Sequence, residues 1–432
     1  MVNSSISLKL ATTLVEPLYK LEQHFLTHCQ TIGEWFQHQW QLTPPPVYGS
    51  VDLRNAGFKL APVDMNLFPA GFNNLNPNFL HLASLAAKEI IQTIAPDSKK
   101  VLIIPETHTR NLPYWNNIAT LKTILEAADF SVRFGFFSSE HLEQNGFNAA
   151  LPIPLAPLSR KGNVLQTADF VPDVILLNND FSEGIPALLE DIDQPVLPPA
   201  ELGWSQRLKS VHFQIYSQVV QDFAQAFKID PWLIAPLFRH CHEVDFMQQA
   251  GLATLQAQAS ELFHEVESKY QMHGIPYQPF LIIKADAGTY GMAVMTLRNV
   301  EELKALNRKQ RTRMASTKGR QPVKSVIIQE GIYSFETFGA QQSVAEPVVY
   351  LWGKHVVGGF YRVHHARGID ENLNAPGMQF EPIAFPQPCH EPCKDLGPDA
   401  CQNRLYVYGI VAKLSMLAAA REIAQQKSRL MS

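Results

Sequence analysis

Apolar residues recur at helical spacings of three and four from residue 11 to residue 42, and Pro44-Pro45-Pro46 stops that pattern. Residues 47–80 have no clean period. Arg, Asn, Asp and Lys alternate with aromatics and glycines there, and the stretch reads as structured loop around short strands. An alternation follows. Apolar runs at residues 100–105, 131–137 and 171–177 predict strands, and residues 115–128 have helical spacing. Strands alternating with helices predict a parallel, Rossmann-like sheet. Ligands on such sheets lie beyond the carboxyl ends of the strands. Those ends carry Glu106-Thr107-His108-Thr109-Arg110-Asn111 and Asn178-Asn179-Asp180.

Residues 195–199, bounded by Pro195 and Pro199, read as a linker. Helical patterns return at 211–227 and 252–270. Strands are then expected at 280–284, 292–297, 325–329, 346–352 and 355–363, with a helix at 300–308. The last two strands form a hairpin turning at Gly353-Lys354-His355. A final helix runs from about 403 to 428, with Val407, Ile410, Val411, Leu414, Leu417 and Ala418 on one apolar stripe that packs on a sheet. The chain divides into a helical segment (1–46), a Rossmann-like substrate domain (47–200) and a nucleotide-binding and catalytic region (201–432).

A chain of 432 residues with 46% hydrophobic and 18% charged residues can bury a large core over more than one domain. Its net charge of −4 disfavours nucleic acid and anionic membranes as partners. The eight basic residues between Lys304 and Lys324 lack interleaved aromatics, so they read first as a solvated loop and second as a phosphate-covering lid. No signal peptide or membrane span is apparent, and five cysteines do not suggest a disulfide framework. A cytoplasmic setting is expected. Assembly into a homo-oligomer is left open. Cys29 and Cys241 read as apolar residues. Cys389, Cys393 and Cys401 with His390 fit no standard zinc spacing, so free or redox-sensitive thiols are the preferred reading.

The densest chemistry lies in Ile283-Lys284-Ala285-Asp286-Ala287-Gly288-Thr289-Tyr290-Gly291-Met292. A lysine at a strand end offers a point charge, and glycines let backbone N–H groups approach phosphate oxygens. The lysine precedes the glycines, so this is not the Gly-Lys-Ser/Thr phosphate loop. The strand ending in Gln329-Glu330-Gly331-Ile332 suits a hinge that pairs with an adenine edge. Arg362 ends the hairpin, where it can hold a phosphoryl group or a substrate carboxylate. Glu371, Asn372 and Asn374 gather oxygen ligands in one loop, and Glu346 joins them as a candidate ligand of Mg²⁺. His108, His364 and His365 are further candidates, with a structural role the plainer reading.

The order of these parts resembles the ATP-grasp ligases over roughly residues 205–430. That resemblance implies a two-lobe fold, with ATP and Mg²⁺ as cofactors. Lys284, Asp286, Gly288, Thr289, Tyr290, Gly291 and Met292 would lie at the nucleotide, with Gln329, Glu330, Gly331 and Ile332 at its hinge. The family's later Glu-x-Asn metal strand is missing, because the chain ends in a helix. The block from Val51 to Asn74, the Lys284 loop and Glu371-Asn372-Leu373-Asn374-Ala375-Pro376-Gly377 together are similar to the proteobacterial, iron-oxidiser type of glutamate–cysteine ligase. That implies an α/β and α+β multidomain enzyme that joins glutamate to cysteine through an acyl phosphate, with Lys284 and Arg362 as catalytic residues. Arg54, Lys59 and Asn73 or Asn74 are then candidates for binding an amino acid's carboxylate and Asp64 for its ammonium, with Asn55 and Asn66 as further substrate-binding candidates. Another amino-acid or peptide ligase, such as a glutathione synthetase, or a non-catalytic ATP-binding regulator are the alternatives.

Overall fold

The computed structural model describes residues 10–11, 17–106, 112–137, 154–182, 184–288, 292–317, 322–383, 392 and 401–431. Three large sheets organise them, with a small two-stranded ribbon beside. The largest sheet is antiparallel throughout. Its spine is the hairpin of Ser343–Trp352 and His355–His364. Gln379–Pro382 extends it on one side. On the other side Glu336–Phe338 and Tyr48–Asn55 pair with successive parts of Ser343–Trp352, and Leu60–Asn66 pairs with Tyr48–Asn55.

The region 47–80 is therefore not mainly loop: it supplies two full strands of the central sheet. Its polar residues hid the strand period because alternate positions face a cavity rather than a core. The hydrogen bonds between Tyr48–Asn55 and Ser343–Trp352 also mean that a line drawn at residue 200 passes through this sheet.

The second sheet is wholly parallel, in the order Val196–Leu197, Val174–Asn178, Lys100–Pro105, Ser131–Phe136, Leu155–Pro157. Val101 and Ile103 pack with helices Leu80–Ile94 and Leu112–Glu126, while Leu102 and Ile104 face Leu158, Phe170 and Phe181. Burial on both faces explains the continuous apolar runs. The expected linker is not one, since Val196–Leu197 adds an edge strand.

The third sheet is antiparallel, in the order Phe238–His242, Ser325–Glu330, Leu281–Ala285, Val294–Leu297, with helix Leu252–Met272 packed on it. The helix expected at 300–308 is instead a single 3₁₀ turn, Val300–Leu303, followed by Arg308–Met314. Asn307 sets that start, because its side chain and that of Gln310 cap each other's backbone N–H. The N-terminal helix breaks at His28 into Leu18–Thr27 and Cys29–Leu42.

The last helix, Cys401–Met431, does not bury one stripe only. From Asn403 to Ala420 nearly every residue is buried, against helix Lys209–Phe227, the N-terminal helices and the central sheet. Among the described residues no helix is long and apolar enough to cross a membrane.

One ion pair fastens that helix. Arg207 Nε donates to Glu422 Oε1 at 2.9 Å and Nη2 to Oε2 at 3.0 Å, both side chains being almost inaccessible. Burial pushes the Glu422 carboxyl up, but Arg207 and His212 outweigh it and hold it down at about 2. A depressed carboxylate stabilises the fold above its unfolded value and loses that contribution as pH falls. Stability should therefore decline between about pH 4.5 and about pH 2. In Glu422→Gln, acid denaturation monitored by circular dichroism should lose part of that slope. The variant should also be less stable at neutral pH by about 3 kcal/mol, since Arg207 is left buried without its counter-charge.

Candidate active site

A cavity of about 930 Å³ opens where the three sheets meet. The first wall is one face of the central sheet. Side chains alternate across a strand, so Ser50, Asp52 and Arg54 share that face with Asp64 and Asn66, with Glu346, Val348 and Tyr350, and with Phe360 and Arg362. The intervening residues, among them Val51, Leu53, Val349, Leu351, Tyr361 and Val363, turn away and pack under the C-terminal helix.

The charges on this wall form a chain. Arg362 Nη1 and Nη2 each donate to Asp52 Oδ2 at 3.0 Å, and Nη1 also donates to Glu346 Oε1. Arg54 Nε donates to Glu346 Oε2 at 3.0 Å, and its Nη1 donates to the carbonyl of Ile332 at 3.1 Å. Glu346 stays ionised: burial pushes its carboxyl up, but the two guanidiniums outweigh this. Asp52 goes the other way. Burial raises its carboxyl above the usual range, Arg362 only partly offsets this, and the neighbouring Asp64 and Glu346 push it further up.

The second wall belongs to the third sheet. Lys284 Nζ donates to the Val63 carbonyl at 2.8 Å and to Gln329 Oε1 at 2.9 Å. It thus bridges two sheets. Burial lowers the Lys284 ammonium to about 8, with Asp64 opposing. Gln329 is buried, and its Nε2 has no acceptor among the described residues. Gly288 has φ +120°, and a Cβ there would come within 2.9 Å of the Thr317 side chain, so glycine is needed on both counts. At Gly331 a Cβ would meet the Phe280 ring at 2.2 Å.

The third wall lies at the carboxyl ends of the parallel strands, with Glu106, Asn178 and Asp180. The segment from Phe68 to Asn74 crosses to it from the central sheet. Gly71 and Phe72 N–H donate to Asn117 Oδ1, and Asn178 Nδ2 donates to the Pro69 carbonyl.

Of the residues singled out from the sequence, Lys284, Gly288, Met292, Gln329, Glu330, Ile332, Arg54, Asp64, Asn66, Asn73, Asn74, Glu346, Asn372, Asn374 and Arg362 line this cavity. Thr289, Tyr290, Gly291 and His108 lie outside the described residues, as do Cys389, His390 and Cys393. Asp286, Asn55, Lys59, Gly331 and Glu371 do not line it. Lys59 is fully buried, its Nζ donating to Glu330 Oε2 at 2.7 Å. Glu330 also accepts from Trp232 Nε1 and the Leu237 N–H, so its carboxylate is spent on the fold. Asn55 donates to Glu336. Glu371 accepts from Arg367 and from the Gly368 N–H, and Asn372 Oδ1 accepts from the Asn374 N–H. His364 bonds the Pro376 carbonyl, and His365 bonds Ser343 and Gln379.

Asp286 is a staple. Its Oδ1 accepts from the Ser210 N–H and its Oδ2 from Ser210 Oγ, both at 2.7 Å, with His240 Nε2 at 2.8 Å. It thereby caps helix Lys209–Phe227 and fixes the start of the glycine loop. Asp286→Ala should cost about 1–3 kcal/mol in thermal or denaturant unfolding, and Asp286→Asn less because it keeps one acceptor.

Sequence reasoning passed over Asp52 and Lys209. Lys209 Nζ donates to Asp64 Oδ1 at 2.9 Å and lies 3.9 Å above the Trp204 ring. Burial pushes the Asp64 carboxyl up, but Lys209 and Lys284 hold it down at about 2. The signal for Asp52 was present in the alternation of Ser50, Asp52 and Arg54. No local pattern marks Lys209, which opens a helix and reaches the site only through the fold.

Known proteins give this geometry a context. A family model described as glutamate–cysteine ligase matches residues 22–423. Among solved structures, a "Putative gamma-glutamylcysteine synthetase" from Methylobacillus flagellatus KT is similar at 46% identity and a TM-score of 0.87. The match covers 96% of this chain and 98% of that one. A comparison with curated proteins returns no match. A cavity walled by opposed lysines, guanidiniums and carboxylates, in a chain matched almost from end to end, belongs to an enzyme of the glutamate–cysteine ligase family.

Proposed function

We propose that the protein joins the γ-carboxylate of glutamate to the amine of cysteine, through an acyl phosphate, with ATP converted to ADP. The observation that carries this reading is the opposition, across one cavity, of Lys284 and Gln329 to Asp52, Glu346 and Arg362. Two antiparallel sheets facing each other across that cavity also support an ATP-grasp-like arrangement.

In this reading Lys284 neutralises triphosphate oxygens, and the Gln329 amide, which accepts from Lys284 through Oε1, aims that lysine. The close backbone at Gly288 gives N–H groups room beside the phosphates. Arg362, fixed between Asp52 and Glu346, uses three of its five donors on these two carboxylates, and its buried Nε is without an acceptor among the described residues. The carboxylates fit a divalent cation: Asp52, Asp64 and Glu346 lie on one face of the cavity, which concentrates hard oxygen donors there. Asp52 and Glu346 would hold Mg²⁺, which would neutralise the phosphates and the transferring phosphoryl group. Glu371 is a poorer ligand because, unlike Asp52 and Glu346, it does not line the cavity.

The test is ADP release by the purified protein with Mg-ATP and glutamate, cysteine or both, with mass detection of the product. Release that needs both amino acids, with γ-glutamylcysteine formed, is expected. ATP binding without such release would leave only a nucleotide-binding protein.

A further inference from the structure

The cavity carries two apolar patches, and charge separates them. One is on the third sheet. Ile282 lies two residues before Lys284 on its strand, and Val294 is the register partner of Lys284. That patch runs into the glycine loop, so in the ligase reading it serves the nucleotide. The other patch lies on the central sheet. Val348 pairs with Phe360 and Arg362 pairs with Phe380, and all four side chains line the cavity. Phe360 meets Phe380 edge to face at 5.1 Å and Tyr350 at 5.5 Å between ring centroids. Tyr350 turns its hydroxyl to the Ala70 carbonyl at 3.1 Å. Met378, half-buried just before the strand of Phe380, adds a thioether to this lining.

The second patch begins where the charges end. Paired strands lie about 4.8 Å apart and alternate residues about 7 Å apart. Phe380 therefore stands beside Arg362, and Phe360 one step along the same face. Arg362 itself is held by Asp52 and Glu346. The patch proper, Val348, Tyr350, Phe360, Met378 and Phe380, carries no charge.

That chemistry selects its occupant. Glutamate has three charged groups, and each would be desolvated there without a partner. A thiol is a weak donor that packs as a small hydrophobe, and sulfur is attracted to aromatic edges. The same lining answers a problem of the reaction. A thiolate would compete with the amine for the acyl phosphate. Apolar surroundings raise a thiol's pKa and keep it protonated. Building on the ligase reading above, we propose that Val348, Phe360, Phe380 and Met378 receive the side chain of cysteine. The thiol is held neutral among them, and the amine is left at the Arg362 end as the nucleophile.

The test is the acceptor specificity of the full-length enzyme with glutamate and Mg-ATP. The acceptors are cysteine, 2-aminobutyrate (a methyl in place of the thiol), serine (a hydroxyl) and S-methylcysteine (one methyl larger). The wild type should use 2-aminobutyrate within about tenfold of cysteine in kcat/KM, and serine about 10²-fold less well. Met378→Ala and, independently, Phe380→Ala should raise the ratio of S-methylcysteine to cysteine about tenfold or more, because each opens room for the methyl. Met378→Gln, of similar volume, should raise the ratio of serine to cysteine about tenfold. In all three the KM for glutamate should hold within about threefold. A ratio of two acceptors on one variant does not depend on how much of it folds. Equal losses with every acceptor would overturn the assignment. So would a KM increase confined to glutamate, or serine used as well as cysteine by the wild type. If the wild type makes no γ-glutamylcysteine, the ligase reading fails and this assignment with it. If it makes the dipeptide and the variants keep the wild-type acceptor ratios, the assignment alone fails.

Discussion

Lys284→Met should lower kcat for γ-glutamylcysteine formation by about 10²- to 10³-fold, the usual effect of removing one preorganised donor from a developing anion. The fold should survive, because the lysine is already disfavoured by burial, which brings it to about 8, and methionine fills similar volume. The Val63 carbonyl and Gln329 Oε1 lose a donor, so a small drop in the unfolding midpoint is expected. The same residue predicts a pH profile. In the free enzyme kcat/KM for ATP should fall as pH rises through about 8, where Lys284 loses its proton. Unfolding is not the cause: a lysine depressed below its unfolded value adds stability as pH rises from about 8 toward 10.5. Lys284→Arg should remove that limb. Steady-state kinetics from pH 6 to 10 measures both effects, and kcat within tenfold of wild type in Lys284→Met would place the phosphates elsewhere.

Lys59→Met should destabilise the protein by about 3–5 kcal/mol. Lys59 stands at the tip of the hairpin between Tyr48–Asn55 and Leu60–Asn66, which ties the central sheet to the sheet that carries Ser325–Glu330. Its neighbour Phe58 is buried among Trp232, Tyr270, Tyr277 and Phe335. Lys59 itself meets Glu330 and lies 4.2 Å from the Trp232 ring. Removing it leaves the Glu330 carboxylate buried with only neutral donors. Adding Glu330→Gln to the variant should recover much of the loss, since the cost is the orphaned charge. Urea denaturation of both single variants and the double variant measures this. A loss under about 1 kcal/mol in Lys59→Met would mean that the pair does not hold the two sheets together.

The sequence reveals those elements whose burial follows a simple period. The strands at Lys100–Pro105 and Ser325–Glu330 are apolar because protein covers both faces, and they are legible. Tyr48–Asn55 and Leu60–Asn66 are harder to read because one face lines a polar cavity. The alternation is present there, but with Asp52, Arg54 and Asp64 where an exposed strand would carry random polar residues. Lys284 lines the cavity, and its strand-end position before glycines set it apart in the sequence. The role of Lys59 was not legible there, because a buried ion pair and a substrate ligand use the same residue types, and only the partner, 271 positions away in Glu330, tells them apart. Lys209 illustrates the same limit from the other side, since Asp64 and Trp204 meet it only in the folded chain.

Activation of glutamate as an acyl phosphate leaves an isotopic trace, which is read by incubating glutamate labelled with ¹⁸O in its γ-carboxylate with Mg-ATP and cysteine. One ¹⁸O in the inorganic phosphate is expected for each γ-glutamylcysteine formed, with ADP as the nucleotide product. Unlabelled phosphate, or AMP with pyrophosphate, would contradict it.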